Sequence, residues 1–286
     1  MKRPSVLLVA KEPVTPSTRR GDVEPALRAW LERQRLDALE HAATLRLVLT
    51  TLRRHRARVC VATLRRVPSG AFDLVVTVGG DGTLLGTSHH VTAGTPVLAV
   101  RSTPLGSVGH FCAADRREAA DAISDALSGR LPAVALQRMR VKLDGRRLSN
   151  RVLNDVLFAH ASAAAAARYV LSVGERSEEQ RSSGLWVGPA AGSTAAQRSA
   201  GGRVLPVRSR RLQWVVREPY QGPGVSAPVL RRGTVGPEER VRVVSLMDAA
   251  RVWIDGPHRS HRVVFGGRLE MELGDEPLTL LGLRRT

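Results

Sequence analysis

The segment Leu74-Val-Val-Thr-Val-Gly-Gly-Asp-Gly-Thr-Leu-Leu85 leaves few folds open to this chain. An apolar, β-branched run with no polar alternation reads as a strand buried on both faces, the signature of a parallel sheet. It ends in three glycines around one carboxylate. Gly79, Gly80 and Gly82 remove Cβ atoms where the chain turns, so backbone N–H groups can approach a phosphate. Asp81 then projects from the carboxyl end of a strand, where open α/β sheets bind ligands, and Thr83 opens the next helical segment with a hydroxyl. No Gly-Lys-Ser/Thr follows, so this is not a P-loop, and the spacing is not that of the Gly-x-Gly-x-x-Gly dinucleotide turn. The pattern joins nucleotide binding to acid/base chemistry.

A chain of 286 residues has room for two domains. With 43% hydrophobic residues but only 3% aromatic ones, its cores must be built from Ala, Val and Leu. The strands and helices alternate first: Ser5–Ala10, a long helical pattern over Asp22–Arg54 carried by Leu27, Trp30, Leu31, Leu36, Leu39 and Leu45, then strands at Arg58–Ala62, Leu74–Val78 and Thr95–Val100, and a helix over Arg116–Leu127. That order predicts a doubly wound, Rossmann-like α/β domain over residues 1–132. After Pro132 short β-rich runs follow one another: Leu136–Leu143, Arg151–Ala159, Arg168–Val173, Leu212–Val216, Arg240–Ser245, Arg251–Ile254, Arg262–Phe265 and Leu269–Leu273. They predict an antiparallel, sandwich-like β domain over 133–265, with 266–286 free to pack back on the first.

The formal charge of +18 is compatible with nucleic acid. The excess is nearly all arginine, however, scattered in pairs from Arg53-Arg54 to Arg284-Arg285 without interleaved aromatics, as a single-strand platform would need. An anionic small molecule uses the same field, so no nucleic-acid partner is expected. Cys60 and Cys112 show no metal or disulfide spacing and read as reduced core residues of a cytoplasmic protein. The apolar run at Ser5 is too short for a signal segment, and no stretch approaches a membrane span.

Three further segments carry polar groups where folding alone does not ask for them. Arg101-Ser-Thr-Pro-Leu-Gly-Ser-Val-Gly-His110 follows a strand with small residues and sets His110 where it could face a cleft. Asn154-Asp155 interrupts an apolar run, and such a pair is costly to bury without partners. After a strand ending at Val187, a glycine turn leads to Ser193-Thr194 at the start of a short helix that also carries Ser199; hydroxyls and free N–H groups at a helix start favour anions and ribose hydroxyls.

Taken together these segments resemble the NAD kinase family, most closely its mitochondrial-type branch. Gly79-Gly80-Asp81-Gly82-Thr83 matches the family's GGDGT, Asn154-Asp155 its Asn-Glu/Asp pair, Gly106-x-x-Gly109-His110 its strand-end loop, and Gly192-Ser193-Thr194-Ala195 with Ser199-Ala-Gly-Gly202 its GSTA…SAGG segment. Ser182-Ser-Gly-Leu185, Arg217-Glu-Pro219 and Ile254-Asp-Gly256 are similar to that branch too, so the order agrees from Val6 to Leu281. The resemblance implies transfer of the γ-phosphoryl of ATP, with Mg2+ or another divalent metal, to the 2′-hydroxyl of the adenosine ribose of NAD(H).

On that reading Asp81 is the general base or orienter of the hydroxyl. Gly79, Gly80, Gly82 and Thr83 approach the phosphates. His110, Asn154, Asp155, Ser193, Thr194, Ala195 and Ser199 line the nucleoside site, and arginines supply the missing Walker lysine's charge. A homo-oligomer, dimer or tetramer, is also implied. The chain departs from the family at Ala191 and Ala196, where a threonine and an aromatic residue are usual. Two alternatives stand beside this reading: a non-catalytic dinucleotide-binding or regulatory protein, which those losses would suit, and a GGDGT-type lipid kinase, which lacks the Asn154-Asp155 and Gly192 segments.

Overall fold

The computed structural model describes residues 3–12, 24–222 and 228–283. The expected helix start at Asp22 and the Arg284-Arg285 pair lie outside the described residues. Two compact units divide the chain, Met1–Ala135 with Leu278–Thr286, and Leu136–Pro277.

The first unit is built on one sheet. Its strands are β1 (Ser5–Ala10), β2 (Arg58–Thr63), β3 (Leu74–Gly79), β4 (Pro96–Arg101), β5 (Ala133–Leu136) and β18 (Leu278–Leu281), in the order β2-β1-β3-β4-β18-β5. The β1–β2, β1–β3, β3–β4 and β4–β18 pairs are parallel. Every residue of β3 is buried, which explains its unbroken apolar run: a parallel strand covered on both faces has no polar side to show. The C-terminal segment that returns to this sheet is the strand at Leu278–Leu281. The helices are α1 (Pro25–Arg54), α2 (Asp81–Ser88) and α3 (Ala119–Leu127), the last starting later than the expected Arg116.

Two expectations need correction here. The helix α1 forms, but Leu27, Trp30, Leu36 and Leu39 are exposed, and the residues it buries are Asp37, His41, Thr44, Val48, Thr51 and Leu52. Its first half runs beyond the core, and the face it buries next is polar because that face binds a loop. Cys60 is exposed, lying on β2 at the edge of its sheet; Cys112 is buried as expected.

The second unit holds two six-stranded antiparallel sheets. One runs β10-β9-β14-β17-β6-β7, from β6 (Met139–Leu143), β7 (Arg146–Val152), β9 (Ala167–Val173), β10 (Arg176–Ser182), β14 (Arg240–Ser245) and β17 (Arg268–Leu273). The other runs β13-β12-β11-β8-β15-β16, from β8 (Val156–His160), β11 (Gly184–Pro189), β12 (Leu212–Arg217), β13 (Arg232–Val235), β15 (Ala250–Ile254) and β16 (Ser260–Val263). Both sheets send alternate residues into a single core, including Met139, Tyr169, Val241 and Met271 from one and Phe158, Leu185, Trp214 and Val252 from the other. Within this core Phe158 and Tyr169 meet edge to face with centroids 5.4 Å apart. The expected single strand over Arg151–Ala159 is two strands, and the break between β7 and β8 falls at Asn154-Asp155.

Candidate functional site

In the first unit the glycine turn links β3 to α2, and Asp81 is the first residue of that helix. A Cβ on Gly79 would collide with the Thr83 side chain, and one on Gly80 with that of Ser107, so both positions exclude a side chain. A Cβ on Gly82 would meet open space. The turn therefore needs its first two glycines for packing, while Gly82 keeps the helix start bare for an anion, whose charge the helix N-terminus favours.

The Asp81 carboxylate accepts two backbone hydrogen bonds, from His110 N–H at 3.0 Å and Phe111 N–H at 2.9 Å. The strand-end loop after β4 thus holds the carboxylate through its main chain. The half-buried His110 ring meets Phe111 edge to face at 5.0 Å. Beside it, burial and then the Asp81 charge push the Cys112 thiol up to about 12, which leaves it an unreactive neighbour.

The same loop is anchored by the polar face of α1. Leu105 N–H donates to Asp37 Oδ1 at 3.1 Å, and His41 Nδ1 lies 2.7 Å from Ser102 Oγ. Burial, followed by the nearby Lys11 charge, lowers the His41 pKa, so the imidazole stays neutral at this contact. The Thr103 hydroxyl is buried without a hydrogen-bond partner among the described residues, in the neighbourhood of Gly80 and Ser107. An orphaned hydroxyl beside a bare helix start is a group a phosphate oxygen can satisfy.

In the second unit two motifs far apart in sequence meet. A Cβ on Gly192 would overlap the Asn154 carbonyl oxygen, so the glycine turn after β11 lies directly on the Asn154-Asp155 break. Gln197, fully buried, donates from Nε2 to that same oxygen at 3.4 Å and accepts from Gln213 Nε2 at 3.1 Å, while Gln213 Oε1 accepts the Arg203 N–H at 2.7 Å. The Ser193 hydroxyl is committed inside the turn, donating to the Ala190 carbonyl at 2.7 Å and accepting the Leu205 N–H at 2.9 Å. Thr194, Ala195 and Ser199 sit on the outer side of this turn and of the short helix α4 (Ala196–Ser199), half-buried or exposed.

The other anchor of the break is Asp255. Its carboxylate collects the N–H groups of Leu153 at 2.9 Å, Asn154 at 2.7 Å and Asp155 at 3.0 Å, and its own N–H donates to the Asp155 carbonyl at 2.9 Å. Asp255 adopts a left-handed φ of 49°, a conformation Asp tolerates better than most residues. Asp155 itself is almost wholly buried and accepts a 2.6 Å hydrogen bond from Asn154 Nδ2. Burial first, and the Asp255 charge second, raise its pKa to about 7. Asp155, Leu157, Trp186, Trp253, Gly256 and Pro257 line a cavity of about 270 Å³.

Among the described residues no group of three or more His, Cys, Asp or Glu could hold a metal ion by itself. Asp37, Thr103, Gln197, Gln213 and Asp255 were not singled out by role from the sequence. Thr103, Gln197 and Asp255 lay inside segments that had drawn attention, but for other residues. Asp37 and Gln213 are polar residues in helical and strand patterns, and the backbone N–H groups they accept from are exposed by no spacing rule.

The model of the ATP-NAD kinase N-terminal domain matches residues 31–131. A protein of rice named "Probable NADH kinase" is 37% identical over 227 residues, covering 72% of this chain and 69% of its own length. The NADH kinase of Arabidopsis thaliana is 36% identical, with 72% and 71% covered. Among solved structures, an NAD kinase from Archaeoglobus fulgidus in complex with ATP matches 98% of this chain and 94% of its own at a TM-score of 0.69 and 19% identity. Yeast NADH kinase complexed with NADH matches 99% and 85% at a TM-score of 0.74 and 15% identity, and both likenesses are likenesses of fold.

Proposed function

This chain belongs to the NAD kinase family, and from that premise we propose how its residues divide the work of phosphoryl transfer. It is a phosphotransferase that moves the γ-phosphoryl of ATP to the 2′-hydroxyl of the adenosine ribose of NAD(H). The observation that carries the residue assignment is the fixed carboxylate. Asp81 stands at a helix start, aimed by the amides of His110 and Phe111, as a base or orienter of a hydroxyl must be.

Phosphoryl transfer depends on positioning and on neutralising charge. In the first unit the bare N-terminus of α2 at Gly82, with the Thr103 hydroxyl, supports a role in receiving phosphate oxygens. A divalent metal carried by the phosphates of ATP would supply charge neutralisation there, since among the described residues no group of three or more His, Cys, Asp or Glu would hold it alone. Asp81 takes or orients the proton of the attacking hydroxyl. In the second unit Asn154 and Asp155, braced by Asp255 on one side and Gly192 on the other, hold ribose hydroxyls or the adenine edge. Ser193 acts by shaping the turn, since its hydroxyl is already bonded twice, and Thr194, Ala195 and Ser199 offer the outer surface to the nucleoside. The same reading has a homo-oligomer working in the cytoplasm; among the described residues no helix is long and apolar enough to cross a membrane.

The test is product identification with purified protein, ATP and Mg2+, offering NAD, NADH and sphingosine in parallel. NADP or NADPH is the expected product. Phosphorylated sphingosine, or no NADP(H) with either dinucleotide, overturns the reading.

A further inference from the structure

The strand register places three large apolar side chains in one row across the second unit. Leu157 on β8 pairs with Trp186 on β11 to one side and with Trp253 on β15 to the other. Their neighbours along each strand, Val156, Phe158, Leu185, Val187, Val252 and Ile254, point into the core, so the row stands on the opposite face of the sheet. All three are only half-buried. Two strand spacings separate the indoles at the backbone, roughly 10 Å. A flat ring stacked on both sides needs about 3.5 Å to each face. The spacing therefore leaves room for one flat ring between the two tryptophans over Leu157, and the three residues line one cavity together with Asp155, Gly256 and Pro257. The Arg217 guanidinium carbon lies 5.8 Å from the Trp186 ring centroid, adding a cation beside the same wall.

This chain has only four tryptophans, and it spends two of them here, next to the turn assigned to the nucleoside. We propose that Trp186 and Trp253 form the stacking site for a heteroaromatic ring of the acceptor dinucleotide, with the Asp155 carboxyl as the polar group at its end. The proposal rests on the NAD(H) kinase reading. The ring chemistry it requires is planar and apolar on its faces with an N–H donor at its edge, which both the adenine amine and the nicotinamide amide provide.

The experiment uses the full chain and three variants, Trp186→Ala, Trp253→Ala and the double Trp186→Phe/Trp253→Phe. Wild-type formation of NADP(H) tests the underlying reading separately. For the slot, each alanine variant is expected to raise KM for NAD(H) about tenfold or more, with KM for ATP and kcat changed far less. The double phenylalanine variant should restore most of the affinity. Tryptophan fluorescence of the wild type should be quenched on titration with the dinucleotide, and the double phenylalanine variant should lose that quench. Titration with AMP and with nicotinamide mononucleotide in separate arms identifies the ring. An unchanged KM for NAD(H) overturns the proposal, as does an effect confined to ATP. Sedimentation supplies the remaining outcome: if the alanine variants change only the oligomeric state, the slot is a contact between copies and the proposal fails.

Discussion

At the residue scale the design turns on carboxylates used through the backbone. Asp81 and Asp255 each gather amides from a loop or break that carries other candidate residues, and so convert a flexible segment into a fixed one. Asp155 differs, since its carboxyl is buried and its pKa stands at about 7 against an ordinary 3.8. A carboxyl whose pKa rises on folding stabilises the folded state fully only below its unfolded value, and that contribution is lost as pH climbs through the folded one. Thermal melts of the wild type and of Asp155→Asn should therefore diverge between about pH 4 and pH 7, the wild type losing stability relative to the variant as pH rises. Parallel melting curves across that range would contradict the assignment. Gly192→Ala should cost about 1–3 kcal/mol by urea unfolding and weaken NAD(H) binding, because its methyl group must displace the Asn154 carbonyl.

At the scale of elements, α1 shows how a helix can serve a site by burying polar groups. Its residues Asp37 and His41 bind the loop after β4, and that loop in turn aims Asp81. Counting apolar positions picks out Leu27, Trp30, Leu36 and Leu39, which are exposed, and passes over the face that matters. Since burial lowers the His41 pKa from 6.5, its stabilising contribution is present above that value and fades as pH falls below it. A His41→Gln variant should lack this acid-side loss, measured as the difference in melting temperature between pH 7 and pH 5.5. Asp37→Ala should lower kcat through a loosened loop while leaving the dinucleotide KM close to wild type.

At the scale of the whole molecule, the net charge of +18 serves anionic substrates, and its effect is screened by salt. Raising ionic strength from about 0.02 M to about 0.3 M should reduce kcat/KM for ATP severalfold; a flat profile would mean that local contacts alone set the rate. Both sheet classes were legible in the sequence, because a parallel strand and a half-buried antiparallel strand differ in period, as β3 and β15 do. So was the segment that carries Asp81, since a β-branched run ending in glycines admits few alternatives. The break at Asn154-Asp155 was less legible: its flanks are apolar enough to read as one strand, and only the amides gathered by Asp255 end the ladder there. The glutamine pair Gln197 and Gln213 was invisible, because a buried amide looks like a surface one until its partners are known.

The central claim is that Asp81 handles the proton of the attacking ribose hydroxyl. Single-turnover kinetics of Asp81→Asn, with dinucleotide binding measured alongside, test it most directly. NAD(H) affinity within a few-fold of wild type together with a transfer step slowed about 10²–10⁴-fold is the predicted result. A transfer step at the wild-type rate would contradict it.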